Sequence, residues 1–288
     1  MIVLTGANGR LGRAIAEALL GQIPAAEVGL SARDPEKAAD LAARGARVRR
    51  GDFTDPEGLT RAFEGARTVL LVSSNARAVG GDPLAQHRAA IDAARAAGAA
   101  RILYTSHMAA SPTSAFPPML DHAATERMLE SCGVPWTSLR NGFYPATVMA
   151  LAEEAAKRGV IAAPRDGKVA WTTHADLAAA AAALALADDP PEGPTPPLTA
   201  AEALDLDDVA RLLSERLGRP IRREVVDDER FAAALAERGT PPAYAEIAVG
   251  LYRASRAGEF AAVDPTLERL IGRRPISVRD ALAATFAA

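Results

Sequence analysis

Short apolar runs alternate with longer amphipathic segments through the first half of the chain. A strand buried in a parallel sheet is apolar along its length, whereas a helix that packs on the sheet is apolar at every third or fourth position. This pattern predicts six strands, which cover residues 2–5, 28–31, 48–51, 68–72, 101–105 and 136–140. The helices predicted between them cover residues 11–20, 35–44, 56–63, 86–97 and 121–131. Alternation of this kind predicts an α/β fold with a doubly wound parallel sheet.

The regular alternation fades after Tyr144, where a helix over 146–158 leads to a turn at Asp166-Gly167. The elements predicted next are a strand over 169–172, an apolar alanine-rich helix over 177–187 and a proline-rich break over 188–197. They are followed by a helix over 206–217, a strand over 221–226 and a helix over 228–238. A last helix starts at an N-cap, Ser277, and ends near residue 286. We predict a nucleotide-binding domain over 1–150 and a smaller C-terminal α/β lobe over 151–288, with 169–187 returning to the first sheet.

The composition is that of a soluble globular protein. The 288 residues are 49% hydrophobic and 24% charged, which excludes disordered, collagen-like and coiled-coil chains. With 33 Lys+Arg against 36 Asp+Glu the net charge is -3, so no basic field supports a nucleic-acid partner.

Cysteine and histidine usage points to a reducing compartment. The one cysteine, Cys132, cannot form an internal disulfide, and the four histidines lack zinc-site spacing, so we expect no metal. The first residues enter a strand without the regions of a signal peptide. The apolar segment 177–187 is shorter than the roughly 18 residues that span a bilayer. We predict a cytoplasmic protein without a membrane segment.

A glycine-rich turn, TGANGRLG, follows the first predicted strand. Glycine permits a tight turn and lets backbone N–H groups approach a diphosphate, and the helix that follows directs its positive end at that anion. The strand before the turn and the βα units after it favour dinucleotide binding over a purely structural turn. The residues assigned to the cofactor here are Gly6, Asn8, Gly9, Arg10, Leu11 and Gly12.

The residues after the second strand indicate which dinucleotide binds. An acidic residue about 20 positions after the glycines binds ribose hydroxyls, whereas an arginine there accommodates a 2′-phosphate. This chain has Arg33, with Lys37 one helical turn beyond it, so NADP(H) is favoured over NAD(H). Two solvated surface cations are the alternative. Ligands bind at the carboxyl ends of parallel strands, so we also expect cofactor contacts at Asp52, Phe53, Ser73 and Ser74.

Five runs along the chain resemble one family: TGANGRLG, SARDPEKA, VSSN, YTS and LRNGFY. They are similar to the NmrA-like branch of atypical short-chain dehydrogenase/reductases, and within it most similar to type 2 NAD(P)H:quinone oxidoreductases. The resemblance implies a Rossmann-type domain, a smaller substrate lobe and a cleft between them. It also implies hydride transfer from NADPH to a small planar acceptor such as a quinone, without flavin.

Ordinary members of the superfamily use Tyr-x-x-x-Lys, and the matching helix of this chain has His122 and Glu126 instead. Without lysine, reduction of a ketone loses its usual proton relay, whereas a quinone accepts hydride more readily. We expect His122 to donate a proton or hydrogen bond to the acceptor and Glu126 to accept ribose hydroxyls. A capping or surface histidine is the alternative.

The residues after the fifth and sixth strands complete the predicted site. We expect Asn141 to orient the acceptor and Tyr144 to form a flat wall against it, both counted as catalytic with His122. Further cofactor contacts are expected from Tyr104, Thr105, Ser106, Gly142 and Phe143, while His107 has the weakest claim of this group. Core packing is the alternative for the aromatic residues, and Cys132 is interpreted as structural.

Two other functions stay open at this stage. The first is a non-catalytic sensor that binds NADP(H) and reports its redox balance to a protein partner, as regulatory members of the NmrA-like family do. The second, an isoflavone-reductase-like or epimerase-like enzyme, is disfavoured because these need a lysine or tyrosine where His122 and Glu126 stand. A homodimer is one option for the oligomeric state.

Overall fold

The computed structural model describes residues 1–286, which form an α/β structure. Its strands are β1 (Ile2–Thr5), β2 (Val28–Ala32), β3 (Arg47–Arg50), β4 (Thr68–Leu71), β5 (Arg101–His107), β6 (Trp136–Asn141), β7 (Val160–Pro164), β8 (Gly193–Pro194) and β9 (Arg222–Val226). Its first six α-helices are α1 (Arg10–Leu20), α2 (Ala39–Ala43), α3 (Pro56–Phe63), α4 (Pro83–Ala96), α5 (Pro117–Glu130) and α6 (Ala146–Arg158). The later helices are α7 (His174–Leu186), α8 (Leu206–Leu217), α9 (Asp228–Glu237), α10 (Pro242–Arg256), α11 (Thr266–Ile271) and α12 (Val278–Thr285).

The central sheet is parallel throughout, in the order β3-β2-β1-β4-β5-β6-β8. The first six positions follow the 3-2-1-4-5-6 order of a doubly wound nucleotide-binding sheet. The predicted fold class is therefore confirmed. A separate parallel pair, β7 with β9, lies outside this sheet among the residues described.

Several helices begin where a side chain satisfies free backbone N–H groups. The Asp55 carboxylate accepts from Gly58 N at 2.9 Å at the start of α3. Asp82 accepts from Leu84 N at 2.9 Å, which starts α4 three residues before the predicted position. At α12 the predicted cap is confirmed, because Ser277 and Asp280 form a capping box.

Most errors in the predicted elements lie in the second half of the chain. Residues 169–172 were predicted as a strand but form only isolated bridges, from Trp171 to Phe143 and from Val169 to Leu204. Two real strands were missed: β7, which is short and alanine-rich, and β8, which lies in the predicted proline-rich break. Helices α10 and α11 were also missed. Residues 35–44 form a 3₁₀ turn followed by the short α2 rather than one helix.

Apolar side chains fill both faces of the central sheet. Leu4, Leu30 and Leu103 pack with α1 and α7 on one face, and Phe63 and Tyr104 pack with α3 and α4 on the other. A further apolar cluster surrounds Phe260 and includes parts of α6, α8 and α10. Helix α7 thus belongs to the first core. We propose a domain boundary near residue 150, with α7 returning to the sheet; Phe116 and Val148 nevertheless pack in the cluster around Phe260, and Leu267 packs in the first core.

None of the helices within residues 1–286 is both long and apolar enough to cross a membrane.

Asp176, near the start of α7, links this helix to the C-terminal segment. Its side chain is fully buried and accepts hydrogen bonds from Thr173 Oγ1 and Ile276 N, both at 2.8 Å. Arg273 Nη2 forms an ion pair with it at 2.7 Å. A buried carboxylate with these partners holds residues 273–276 against the nucleotide-binding domain.

We predict that Asp176→Ala lowers the free energy of unfolding by about 2–4 kcal/mol, because the substitution removes the acceptor of two hydrogen bonds and the partner of Arg273. Chemical denaturation followed by circular dichroism measures the change. The matched control is Asp189→Ala, because Asp189 is exposed; its effect should stay within about 0.5 kcal/mol. Equal stabilities of the two variants would contradict this anchoring role.

Candidate active site

The glycine turn joins β1 to α1 through close backbone contacts. Gly6 has a φ of +69°, which side-chain-bearing residues rarely adopt, and Gly9 N donates to Gly6 O at 2.9 Å. A Cβ at Gly12 would lie 2.2 Å from Gly6 O, so α1 packs directly on the turn. No side chain caps α1, so the N–H groups of its first turn remain available to an anion. Leu11 contributes only its backbone here, because its side chain is buried in the core.

The turn is tied to the loop after β2. Asn8 Nδ2 donates to Asp34 O at 2.8 Å, which places Arg33 beside the turn. Arg33 is exposed and makes no ion pair with the described residues, whereas Lys37 pairs with Asp34 at 3.4 Å. Arg50 ends β3 in register with Ala32 and adds a cation that sequence reasoning missed. The edge of the sheet at β2 and β3 is therefore positively charged.

Asp52 and Phe53 follow β3 at the same edge. Asp52 accepts from Thr54 N and Thr54 Oγ1, both at 2.9 Å, and the backbone bond lowers its pKa, with the charges of Arg33 and Arg50 adding to the effect. Phe53 is half-buried against the core. Both residues lie where an adenine would be expected.

Side-chain hydroxyls of neighbouring strands hold the loop after β4. Thr5 Oγ1 accepts from Val72 N, and Thr105 Oγ1 accepts from Ser73 N, both at 2.9 Å. Ser74 N donates to His87 Nε2 at 2.8 Å. Thr105 therefore supports the site by holding this loop in place. Ser73 and Ser74 lie in the loop, at the edge of the sheet where they were predicted.

A buried polar network lies behind this loop. Because His87 Nε2 accepts from Ser74, its Nδ1 carries the proton and donates to Thr125 Oγ1 at 2.8 Å. Thr125 in turn donates to Asp121 O at 2.7 Å. Burial lowers the pKa of His87 to about 3, so this ring is neutral.

His122 lies next to Tyr104, whose ring packs edge-on against His87 of this network with centroids 5.3 Å apart. Nδ1 of His122 lies 2.8 Å from the hydroxyl of Tyr104, which is fully buried. Burial also raises the pKa of Tyr104 well above its ordinary value. Tyr104 therefore orients His122 from behind, and the prediction that it contacts the cofactor is wrong.

His122 is half-buried, with burial lowering its pKa to about 4. His122 therefore does not titrate near physiological pH, as a histidine in water would. At pH 7 the ring is neutral, so it can donate a hydrogen bond but does not act as a charged acid.

The carboxylate of Glu126 has a different environment from the predicted one. It is buried, and it accepts from Ser106 Oγ and Ser138 Oγ at 2.8 Å and from Arg140 Nη2 at 2.7 Å. These partners occupy both of its oxygens between α5, β5 and β6. The prediction that Glu126 binds ribose hydroxyls is therefore wrong. The predicted cofactor contact of the Ser106 hydroxyl is wrong too, because this hydroxyl donates to Glu126. Sequence spacing could not reveal Arg140 as its partner.

Asn141 and Tyr144 lie together at the end of β6. Burial raises the pKa of Tyr144 to about 12, although the polar side chain of Asn141 acts to lower it. Tyr144 stacks on His174 at 4.4 Å, a contact that sequence reasoning missed. Burial and, secondly, the positive charge of Arg10 lower the pKa of His174. Because Arg10 starts α1, the stack of Tyr144 on His174 lies towards the glycine turn.

Gly142 and Phe143 follow Asn141 directly. A Cβ at Gly142 would lie 2.2 Å from Thr172 Oγ1, so the glycine serves close packing. Phe143 is half-buried and packs edge-on to His107, Trp171 and Phe260, with ring centroids 5.0 to 5.5 Å apart. One side of the site is therefore a wall of aromatic rings, to which the second lobe contributes Phe260.

The geometry fits a dinucleotide whose reactive ring reaches β5 and β6. Asn141 Oδ1 is buried without a hydrogen-bond partner among residues 1–286, and the carboxamide of nicotinamide carries the donor that it needs. The glycine turn offers N–H groups to a diphosphate, and Arg33 offers charge to a phosphate. These features define a Rossmann-type dinucleotide-binding protein.

Comparisons with known proteins agree. A family model described as NAD(P)H-binding matches residues 6–189. The chain is 37% identical to quinone oxidoreductase 2 of Escherichia coli strain K12, with 99% of each chain covered. It is 30% identical to an NmrA-like family domain-containing oxidoreductase of Aspergillus flavus, over 97% of this chain and 93% of the relative.

Among solved structures, that of the NADPH-dependent quinone oxidoreductase of Escherichia coli in complex with NADPH superposes with a TM-score of 0.93. It is 35% identical and covers 99% of this chain and 100% of its own. The chain therefore belongs to the NmrA-like family of NAD(P)H-binding proteins, as the sequence motifs predicted.

We predict that His87 makes the protein less stable in acid. Its pKa is about 3 when folded and about 6.5 when unfolded, so below pH 6.5 the unfolded chain takes up a proton that the folded protein refuses. Lowering the pH from 7.5 to 5 should reduce the free energy of unfolding by about 2 kcal/mol through this residue.

Other groups titrate over the same range, so the measurement compares two proteins. Urea denaturation at both pH values gives the pH-dependent loss for the unmodified protein and for His87→Gln, which keeps a donor and an acceptor. The loss should be about 2 kcal/mol smaller in the variant. Identical losses would show that His87 titrates normally.

Proposed function

We propose that the protein is an oxidoreductase that transfers hydride from NADPH to a quinone-like acceptor. The supporting observation is the make-up of the sheet edge at β5 and β6, where half-buried Phe143 and Tyr144 follow β6, His122 is neutral, and no Tyr-x-x-x-Lys relay is present. Full-length similarity to quinone oxidoreductase 2 supports the same reaction.

NADPH supplies a hydride and leaves as NADP⁺. One carbonyl oxygen of the quinone accepts that hydride, an electron pair moves through the ring to the other carbonyl oxygen as the ring becomes aromatic, and a solvent proton on that oxygen completes the hydroquinone. Within the chain, the glycine turn would bind the diphosphate, and Arg33 with Lys37 and Arg50 would bind the 2′-phosphate. Asn141 and Tyr144 orient the reacting rings.

His122 suits this reaction because it is neutral. A hydroquinone oxyanion is weakly basic, so a hydrogen bond from an imidazole N–H stabilises it without full proton transfer. The alkoxide formed from a simple ketone is far more basic and needs a stronger acid. Tyr104 fixes the orientation of the His122 ring through Nδ1, which leaves Nε2 to face the acceptor.

We also propose that the protein works in the cytoplasm. Its one cysteine, Cys132, is buried and free, which agrees with a reducing compartment.

We predict that NADPH binds more tightly than NADH, by about 1–3 kcal/mol, because Arg33 makes charge-assisted bonds to the 2′-phosphate. Arg33→Ala should remove most of this preference by weakening NADPH binding and leaving NADH binding unchanged. Isothermal titration gives both dissociation constants. Arg95→Ala, at an exposed arginine of α4, is the control. Equal constants for the two cofactors in the unmodified protein would refute the assignment.

A second prediction concerns the reaction itself. The purified protein should be colourless and should oxidise NADPH with a small quinone without added flavin, while simple ketones react far more slowly. His122→Ala should lower kcat about 10- to 100-fold, because hydrogen-bond help is lost but water can still supply the proton. Arg127→Ala, at an exposed residue of the same helix, should leave kcat unchanged.

Absorbance at 340 nm follows both reactions. If NADPH binds but no quinone in a small panel is reduced, the protein is better described as a sensor of the NADP(H) balance. If ketones react as fast as quinones, the role given to His122 is wrong.

A further inference from the structure

His107 ends β5 and lies in register with Asn141 at the end of β6. The residue is 7% exposed, and its Nδ1 accepts from Ala109 N at 3.2 Å. Burial holds its pKa well below the ordinary value, so the ring is neutral. In a neutral imidazole, one nitrogen accepts and the other carries the proton. The structure thereby identifies Nε2 of His107 as an N–H donor.

This donor has no hydrogen-bond partner within the described part of the chain, residues 1–286. A buried donor in a folded protein is normally paired, so an unpaired one calls for an explanation. The structure around it is aromatic. The rings of Phe143, Phe260 and His122 lie 5.3, 5.6 and 6.2 Å from its ring.

The position of His107 distinguishes it from Asn141. Asn141 lies near Tyr144, which in turn stacks on His174. His107 instead packs against Phe260 and against Phe143, which both belong to the apolar cluster around Phe260. Phe143 and His122 are both half-buried, so the unpaired N–H lies beside rings that a ligand can reach.

We propose that His107 Nε2 donates a hydrogen bond to a carbonyl oxygen of the acceptor, which makes it a substrate-binding residue beside His122. This inference rests on the proposed function. A quinone carries carbonyl acceptors on a flat apolar ring, and this matches one N–H donor among aromatic side chains. As hydride reaches one carbonyl oxygen, the electron pair moves through the ring to the other, and the bond from His107 to that second oxygen strengthens. The solvent proton then completes the hydroquinone.

The kinetic experiment compares His107→Phe, which keeps a ring but removes the donor, with His107→Gln, which retains an N–H donor. For duroquinone, kcat/KM should fall about 10- to 100-fold in the phenylalanine variant and recover at least partly in the glutamine variant. The dissociation constant of NADPH should not change in either variant.

Stability separates this role from a structural one. Because the donor is unpaired in the folded protein, His107→Phe should unfold at the same or a higher temperature than the unmodified protein. A lower unfolding temperature together with an unchanged kcat/KM would show that His107 only supports the fold and would overturn the proposal.

A measurement that needs no turnover uses protein labelled with ¹⁵N at its histidines. With NADP⁺ bound, added duroquinone should shift the His107 Nε2–H resonance, whereas NADP⁺ alone should leave it in place. No shift with duroquinone, or a large shift with NADP⁺ alone, would overturn the proposal. If duroquinone shifts the resonance but is never reduced by NADPH, the proposed function fails while the contact stands.

Discussion

The carboxylate of Glu126 lies between α5, β5 and β6, where it accepts hydrogen bonds from Ser106, Ser138 and Arg140. Its position sets the distance from the helix to the two strands whose ends carry the site. His122 is one helical turn away on the same helix, and His107 and Asn141 end the two strands that it joins. A buried charge is tolerated only when it is paired in this way. The arrangement of the acceptor side therefore depends on one ion pair.

Buried polar contacts also hold the cofactor side of the site in place. Backbone N–H groups after β4 are bound by Thr5, Thr105 and His87 rather than by their own neighbours in sequence. Each of these bonds joins the loop to another element of the first domain, so the loop cannot move without breaking buried polar contacts. A preorganised edge of this kind loses little entropy when a ligand binds.

Sequence reasoning predicted the parts of this structure that depend on local chemistry. The glycine turn, the six strands and the cap at Ser277 all follow from neighbouring residues. The errors arise where distant residues decide. Strand β8 forms because Gly193 and Pro194 meet Thr137 and Ser138 at the sheet edge, despite a proline-rich sequence. Glu126 was misassigned because Arg140, its partner, lies on another element, and no spacing rule connects the two.

The histidines show why burial matters more than residue type at such a site. A histidine in water titrates near neutral pH, which suggests acid–base chemistry from sequence alone. Burial instead keeps His87, His107 and His122 neutral and converts them into fixed hydrogen-bonding groups. Neutral N–H donors stabilise a weakly basic oxyanion well and a strongly basic one poorly, because they transfer no proton. On the proposed function, burial of His107 and His122 therefore favours quinones over ketones as acceptors, without any contact that recognises the rest of the molecule.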